Sequence, residues 1–126
     1  MTRVTAILAG LAVILSAGAS YAGILDCDGV TWTKEGTIQD VQLGIDILPF
    51  DRVKLTNRVV VTGLMFDGFY VQEQGAIGSP FSGVFLYTGG APTSWAVGDL
   101  VEVIGEAYEY YGLTEIRIYN NLGCAK

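Results

Sequence analysis

Short runs of β-branched and aromatic residues, separated by glycine-containing turns, fill the chain from residue 58 onward and restrict it to a β-rich fold. The strongest run spans residues 58–65, and Gly63 inside it predicts a bulge or a sharp bend. Asp67-Gly68 predicts a turn into a strand at residues 69–73, so the two runs form a hairpin. Three further strands are predicted at residues 84–87, 100–106 and 114–119, with a second hairpin tip at residues 108–112.

Five short strands with two hairpins predict an all-β domain that closes into a small barrel, because closure removes exposed strand edges. Alternation in the last strand places Ile116 and Ile118 on a dry face, with Glu115, Arg117 and Tyr119 on the other face. Two segments before the barrel are less regular. Residues 37–42 fit either a leading strand or a single helical turn, and residues 49–54 predict a loop or turn.

The first 22 residues have the pattern of a signal peptide. Arg3 precedes an apolar run at residues 4–19, and Ser20 and Ala22 are small residues at the positions before a cleavage site. The apolar run is shorter than the ~20 residues of a membrane-spanning helix, which leaves an uncleaved anchor as the alternative. We therefore predict a signal peptide at residues 1–22 and one domain at residues 23–126, without a membrane span, in a periplasmic or extracellular protein.

The cysteine and histidine content bears on both stability and chemistry. Cys27 and Cys124 lie near the two ends of the predicted domain, and an even pair in an exported protein predicts a disulfide. The chain contains no histidine, which excludes a histidine general base and weakens any metal site built on the two cysteines. No serine lies in a nucleophile-elbow motif. We therefore expect a protein that is not an enzyme and holds no cofactor or metal.

The chain is acidic, with seven basic and thirteen acidic side chains and a net charge of −6. A field of this sign repels polyanions such as nucleic acid. Three basic residues that lie close together in the sequence could nevertheless attract a polyanion locally. Arg52, Lys54 and Arg58 are therefore the candidate contacts to a phosphate backbone.

The order of segments at residues 59–63, 68–72, 83–89, 97–105 and 109–114 resembles the OB-fold module of secreted bacterial nucleases. In those proteins the module accompanies a catalytic domain of the endonuclease/exonuclease/phosphatase type. The resemblance covers about residues 37–119, and the catalytic domain has no counterpart in this sequence. It implies a five-stranded OB-type Greek-key barrel, to which a nucleic-acid-facing role is commonly assigned, and it does not imply nuclease activity.

In OB barrels the second and third strands bind ligands together with two of the loops. Rings on that surface could stack on bases or sugars or anchor a protein, or they could instead pack in the barrel. The candidate ligand-binding residues are Phe66, Tyr70, Gln72, Phe85, Tyr87, Tyr108, Tyr110 and Tyr111.

Three functions stay open. The first is a non-catalytic binding module that recognises a protein or a glycan through this aromatic face. The second is an extracytoplasmic single-stranded nucleic-acid-binding protein, which requires Arg52, Lys54 and Arg58 to line the same face as the tyrosines. The third is a structural, envelope-associated protein without a soluble ligand.

Overall fold

The computed structural model describes residues 27–75, 79–119 and 122–126. The predicted signal peptide and its cleavage site lie outside these residues. Among the described residues, no helix is long and apolar enough to cross a membrane. The all-β class is confirmed, although the strands outnumber the five predicted. The elements in chain order are β1 (Lys34–Gly36), α1 (Ile38–Leu43), β2 (Arg52–Leu55), β3 (Val59–Met65), β4 (Gly68–Glu73), β5 (Gly83–Tyr87), β6 (Leu100–Val101), β7 (Val103–Tyr110), β8 (Leu113–Arg117) and β9 (Cys124–Ala125).

The strands form one sheet with the order β1-β2-β7-β8-β5-β4-β3-β6, and β9 pairs with β7 outside this path. The β1–β2 and β5–β8 pairs are parallel, and the others are antiparallel. β6 lies at one end of the order, yet only Glu102 separates it from β7 near the other end. The sheet therefore curls back on itself into a barrel-like shape.

The predicted hairpin of residues 58–73 is confirmed as β3 and β4. Their register shifts between Val61 and Gly63, which is the predicted bulge. The predicted strand at residues 100–106 is interrupted at Glu102. The backbone N–H of Glu102 donates to the carbonyl of Lys126 at 2.7 Å, and its carbonyl accepts from Lys126 N–H at 2.9 Å. The end of the chain thus takes the hydrogen bonds of Glu102, and the strand is divided into β6 and β7.

The segment predicted at residues 37–42 is helical rather than a strand: α1 spans Ile38–Leu43, and Thr37 is its N-cap and satisfies free N–H groups at the helix start. The Thr37 hydroxyl accepts from Asp40 N–H at 3.2 Å, and the Asp40 carboxylate accepts from Thr37 N–H at 2.9 Å. The loop predicted at residues 49–54 was partly wrong. Val53 and Leu55 are buried and alternate with Arg52 and Lys54, which is a strand pattern, and they form β2 between β1 and β7.

The hydrophobic core lies inside the curled sheet and under α1. The prediction that Ile116 and Ile118 belong to the core is confirmed, since both are fully buried. Trp95, from the long connection between β5 and β6, packs its ring 4.8 Å from that of Phe69 and completes the core. The other members of the core come from α1 and from alternate positions of the strands, and include Ile38, Val53, Leu55, Val59, Val61, Val71, Leu86 and Val103.

The predicted disulfide between Cys27 and Cys124 is confirmed, with 5.2 Å between the two Cα atoms. It joins residues that are 97 positions apart. Ile104 and Val30 pack around it in a small cluster separate from the main core. Because Cys124 belongs to β9, the disulfide fastens the first described residue to the strand that pairs with β7.

Candidate ligand-binding site

Strand alternation turns one set of side chains away from the core, onto what we call the outer face of the sheet. On β8 the core residue Ile116 separates Glu115 from Arg117, which both lie on the outer face. The parallel register of β5 and β8 pairs Glu115 with Phe85 and Arg117 with Tyr87. Two charged and two aromatic side chains therefore stand next to each other on neighbouring strands.

Tyrosines from the two flanking strands extend this arrangement. On β7, Tyr108 lies opposite Glu115 and Tyr110 lies opposite Leu113. On the other side, β4 places Tyr70 opposite Phe85, with 5.0 Å between the ring centroids. The outer face of β4, β5, β8 and β7 is therefore a continuous aromatic surface with charged groups at its centre.

This surface encloses an open cavity of about 410 Å³. Cavities of this size are typical of small-molecule sites and also accept a single side chain or sugar unit from a larger ligand. The turn between β3 and β4 and the turn between β7 and β8 form its two ends. The lining residues are Met65, Asp67, Tyr70, Phe85, Tyr87, Tyr108, Tyr110, Leu113, Glu115, Arg117 and Tyr119.

Arg117 is held firmly in the wall of the cavity. Its guanidinium donates from Nε to Glu106 Oε1 at 3.1 Å and from a terminal nitrogen to the same oxygen. It also lies 3.7 Å from the ring centroid of Tyr108, with Phe50 and Tyr119 near 6 Å. Burial alone would lower the pKa of Arg117, but the hydrogen bond and the charge of Glu106 outweigh it and raise that pKa. Arg117 therefore stays charged and committed to Glu106.

Glu115 is the buried acid of the cavity, with only 5% of its surface exposed. No described residue donates a hydrogen bond to its carboxylate, yet no side-chain oxygen among these residues is both fully buried and unpartnered. The carboxylate oxygens therefore reach the cavity. Burial raises the pKa of Glu115, Arg117 opposes this, and the charges of Asp67 and Glu109 add to the rise. The cavity thus contains a largely buried carboxylate to which no described residue donates a hydrogen bond.

The structure brings together five of the eight predicted ligand-binding residues: Tyr70, Phe85, Tyr87, Tyr108 and Tyr110 line the cavity. The other three do not. Phe66 is 81% exposed in the turn between β3 and β4, and Tyr111 is 94% exposed at the tip between β7 and β8, where its ring meets Tyr110. Gln72 is half-buried on β4 and donates to the Ser82 hydroxyl at 3.4 Å.

The predicted phosphate contacts do not line the cavity. β2 pairs with β7 so that Arg52 lies opposite Glu106, and Lys54 lies opposite Ile104 beside the disulfide. Both face outward but lie beyond Glu106 from the cavity, and Lys54 lies 5.5 Å from the ring centroid of Trp32. Arg58 precedes β3 at an exposed position.

Sequence reasoning missed the charged half of the cavity. Glu115, Arg117 and Tyr119 had been assigned to the wet face of the last strand, but not to a binding site. The signal was the alternation itself, which places these three side chains on the face opposite Ile116 and Ile118. The sequence alone does not show that β5 pairs in parallel with β8, and this pairing is what brings the charged residues next to the aromatic ones.

The fold and the site together define an all-β, barrel-like protein with a disulfide and an aromatic cavity on the outer face of its sheet. Comparison of the chain with profiles of protein families, with curated protein sequences and with solved structures found no match. Over the described ranges, no group of three or more cysteine, aspartate or glutamate side chains is placed to hold a metal ion.

Proposed function

We propose that this protein is a non-catalytic, exported binding module with an OB-type barrel, which accepts a projecting group of a protein or glycan ligand in its aromatic cavity. The observation that carries the proposal is the cavity of about 410 Å³, which is lined by tyrosines from β4, β5, β7 and the segment after β8 and contains one carboxylate without a hydrogen-bond donor among the described residues. A ring surface of this kind stacks on flat or apolar groups, and the central charges orient them.

The strand order supports the OB-type barrel. If β6 and β7 are counted as one interrupted strand, the order is β7-β8-β5-β4-β3-β6, which returns to its own starting strand. The parallel β5–β8 pair and the antiparallel β3–β6 pair close this circuit. The cavity includes β4 and β5, which are the second and third strands of the barrel in chain order when β3 is counted as the first. It is flanked by the β3–β4 and β7–β8 turns, and ligand sites of OB barrels have the same position. A relationship to the accessory module of secreted nucleases is part of the same proposal.

The disulfide supports export, because disulfides persist in oxidising compartments and are rare in the cytosol. The signal-peptide pattern of residues 1–22 points the same way. We propose that the protein acts in the periplasm or outside the cell.

Single-stranded nucleic acid fits the site less well than a protein or a glycan. That alternative required Arg52, Lys54 and Arg58 beside the tyrosines, and none of the three lines the cavity. The lining instead carries Asp67 and Glu115 against the single paired cation Arg117. A phosphate backbone would meet net negative charge there. A structural, envelope-associated role stays an alternative that does not account for the cavity.

The proposal is tested by nuclear magnetic resonance of the oxidised protein with isotope-labelled tyrosine rings. The panel contains neutral oligosaccharides, unstructured peptides and single-stranded oligonucleotides. We expect saturable shifts of the Tyr108 and Tyr110 ring signals with a member of one of the first two groups. Shifts with oligonucleotides alone would replace the proposal by the nucleic-acid alternative, and no shift with any group would overturn it.

A pair of variants shows whether binding occurs in the cavity. Tyr110→Ala removes a ring that lines it, and should weaken binding about tenfold, since one stacked ring contributes ~1–3 kcal/mol. Phe66→Ala removes a ring that is exposed outside the lining and should leave the affinity unchanged. Equal effects of the two substitutions would contradict binding in the cavity.

A further inference from the structure

The charges that line the cavity are unbalanced. Two carboxylates, Asp67 and Glu115, face one guanidinium, that of Arg117. Arg117 forms its salt bridge with Glu106 and is stacked on Tyr108, so its charge acts on Glu115 only through space and does not outweigh the burial of that carboxyl group. The whole chain adds a net charge of −6. The electrostatic field at the cavity therefore favours a positively charged ligand.

Glu115 defines where the positive charge of the ligand would lie. It is almost fully buried, and no described residue gives its carboxylate a hydrogen bond. Buried carboxylates in proteins are paired, because an unpaired one is costly in a medium from which water is largely excluded. A positive charge on the ligand would supply the missing partner.

The rings around Glu115 suit the same kind of ligand. Phe85 lies beside Glu115 on β5, and Tyr108 lies opposite it on β7. Tyr70 lies 5.0 Å from Phe85, between ring centroids. Aromatic faces attract cations through the quadrupole of the ring, and Arg117 at 3.7 Å from the Tyr108 centroid is an example within this cavity.

We propose that the cavity binds an organic ammonium group, with the Glu115 carboxylate as its counter-ion and the rings of Tyr70, Phe85 and Tyr110 around it. This inference rests on the proposed binding function and names the chemistry of its ligand. The group is a primary or quaternary ammonium carried by a protein or a glycan. A neutral sugar unit fills the same volume but leaves the charge of Glu115 uncompensated, so it fits the site less well.

The probe is choline, and its control is 3,3-dimethyl-1-butanol, which has the same shape without the positive charge. Both are titrated into the oxidised protein at low salt, and binding is followed by the ring signals of Tyr108 and Tyr110. We expect choline to bind at least about tenfold more tightly than the neutral alcohol. Equal affinities, or no saturable shift with choline, would overturn the proposal.

A matched pair of variants assigns the counter-ion. Glu115→Gln keeps the shape of the side chain and removes its charge, so choline should bind no more tightly than the neutral alcohol does. Glu35→Gln removes a carboxylate that is exposed on β1, away from the cavity, and should leave the tenfold preference unchanged. A preference that survives in Glu115→Gln contradicts the assignment. The comparison of the two probes on the unaltered protein does not depend on whether either variant folds.

The pH dependence gives a second readout on the unaltered protein. Burial raises the pKa of Glu115, and the charged groups whose field reaches it are Arg117 on β8, Asp67 in the turn between β3 and β4, and Glu109 on β7. Choline needs the ionised carboxylate, so its affinity should fall as the pH is lowered through the raised pKa. The affinity of the neutral alcohol should stay constant. A parallel loss of both affinities would point to a change in the fold instead, and would contradict the counter-ion role.

The outcomes separate this inference from the proposed function. If the panel of oligosaccharides and peptides shifts the cavity tyrosines but choline does not, the binding module stands and the ammonium ligand is wrong. If neither choline nor the panel shifts them, both proposals fail.

Discussion

Arg117 and Glu115 are separated by a single residue on β8, yet only one of the two charged groups has a hydrogen-bonded partner. The guanidinium of Arg117 has a carboxylate and an aromatic face as partners, and these hold it in one place. The carboxylate of Glu115 has no hydrogen-bond donor among the described residues, although Glu115 is the more deeply buried of the two. A pair of charges used only for stability would be expected to satisfy each other. Under the proposed function, the acid without a hydrogen-bond donor is the one that meets the ligand.

Glu115 should lower the stability of the unliganded protein at neutral pH. Because burial raises its pKa in the folded state, the folded chain holds the proton more tightly than the unfolded chain does. The proton bound to Glu115 therefore stabilises the folded state. This contribution to the free energy of unfolding is complete at pH values below an ordinary carboxyl pKa, and it is lost as the pH rises through the folded-state pKa. Glu115→Gln removes this dependence, so the variant should be more stable than the natural protein at neutral pH and similar to it in acid.

Urea unfolding at a series of pH values measures this difference. Glu35→Gln, which changes an exposed carboxylate of β1, is the control and should not reproduce the trend. A Glu115→Gln protein that is less stable than the natural one at neutral pH would show that the carboxylate contributes to the fold, and would contradict the prediction.

At the scale of elements, the hairpin between β3 and β4 depends on a close approach at Gly68. A Cβ atom at this position would lie 2.2 Å from the carbonyl oxygen of Leu86 and 2.5 Å from the ring of Phe85. Gly68→Ala must therefore push β4 from β5 or move the Phe85 ring, and should cost about 1–3 kcal/mol. At Gly63 in β3, the nearest atom would be 3.8 Å away, on Tyr70. Gly63→Ala should change the free energy of unfolding by only about 0.5 kcal/mol. Similar losses for the two variants in urea unfolding would contradict the steric argument.

The tip between β7 and β8 places Tyr111 in a backbone conformation that is unfavourable for tyrosine. Tyr111 and Gly112 both have positive φ, 48° and 85°, as a two-residue type I′ turn requires. Asparagine tolerates this conformation better than tyrosine, so Tyr111→Asn should raise the free energy of unfolding by about 0.5–1 kcal/mol. Tyr110→Asn, one residue earlier in an ordinary strand conformation, should give no gain. A loss of stability in Tyr111→Asn would mean that its ring contact with Tyr110 outweighs the turn.

The sequence was sufficient to predict the elements that are determined by local patterns of residues. Glycine turns and alternation located β3, β4, β5 and β8, and Gly63 marked the bulge. It was insufficient where distant segments decide the outcome. Residues 52–55 became a strand because β1 and β7 lie on either side of them. Trp95 entered the core because the β5–β6 connection crosses over Phe69. The cavity needed the parallel β5–β8 register, which joins residues about 30 positions apart and has no local pattern.

At the scale of the whole molecule, the disulfide is the largest single constraint on the chain. It closes a loop of 97 positions, for which the chain-entropy model gives about 4–5 kcal/mol. The double variant Cys27→Ser/Cys124→Ser should lose about 3–5 kcal/mol in urea unfolding, and reduction of the natural protein should have a similar effect. A loss below about 1 kcal/mol would indicate that β9 and its pairing with β7 hold the ends together without the disulfide.

The position of the disulfide along β7 also determines how the domain can be attached to something else. Cys27 and Cys124 lie beside Ile104, while Tyr108 and Tyr110 lie further along the same strand, about 14–20 Å away at the usual rise per residue. Lys126 returns to Glu102 at that same end of the strand. A tether joined next to Cys27 or Lys126 would therefore start near the Arg117 end of the cavity and away from the Tyr110 end. An immobilised or fused form attached there should leave the Tyr110 end of the cavity uncovered.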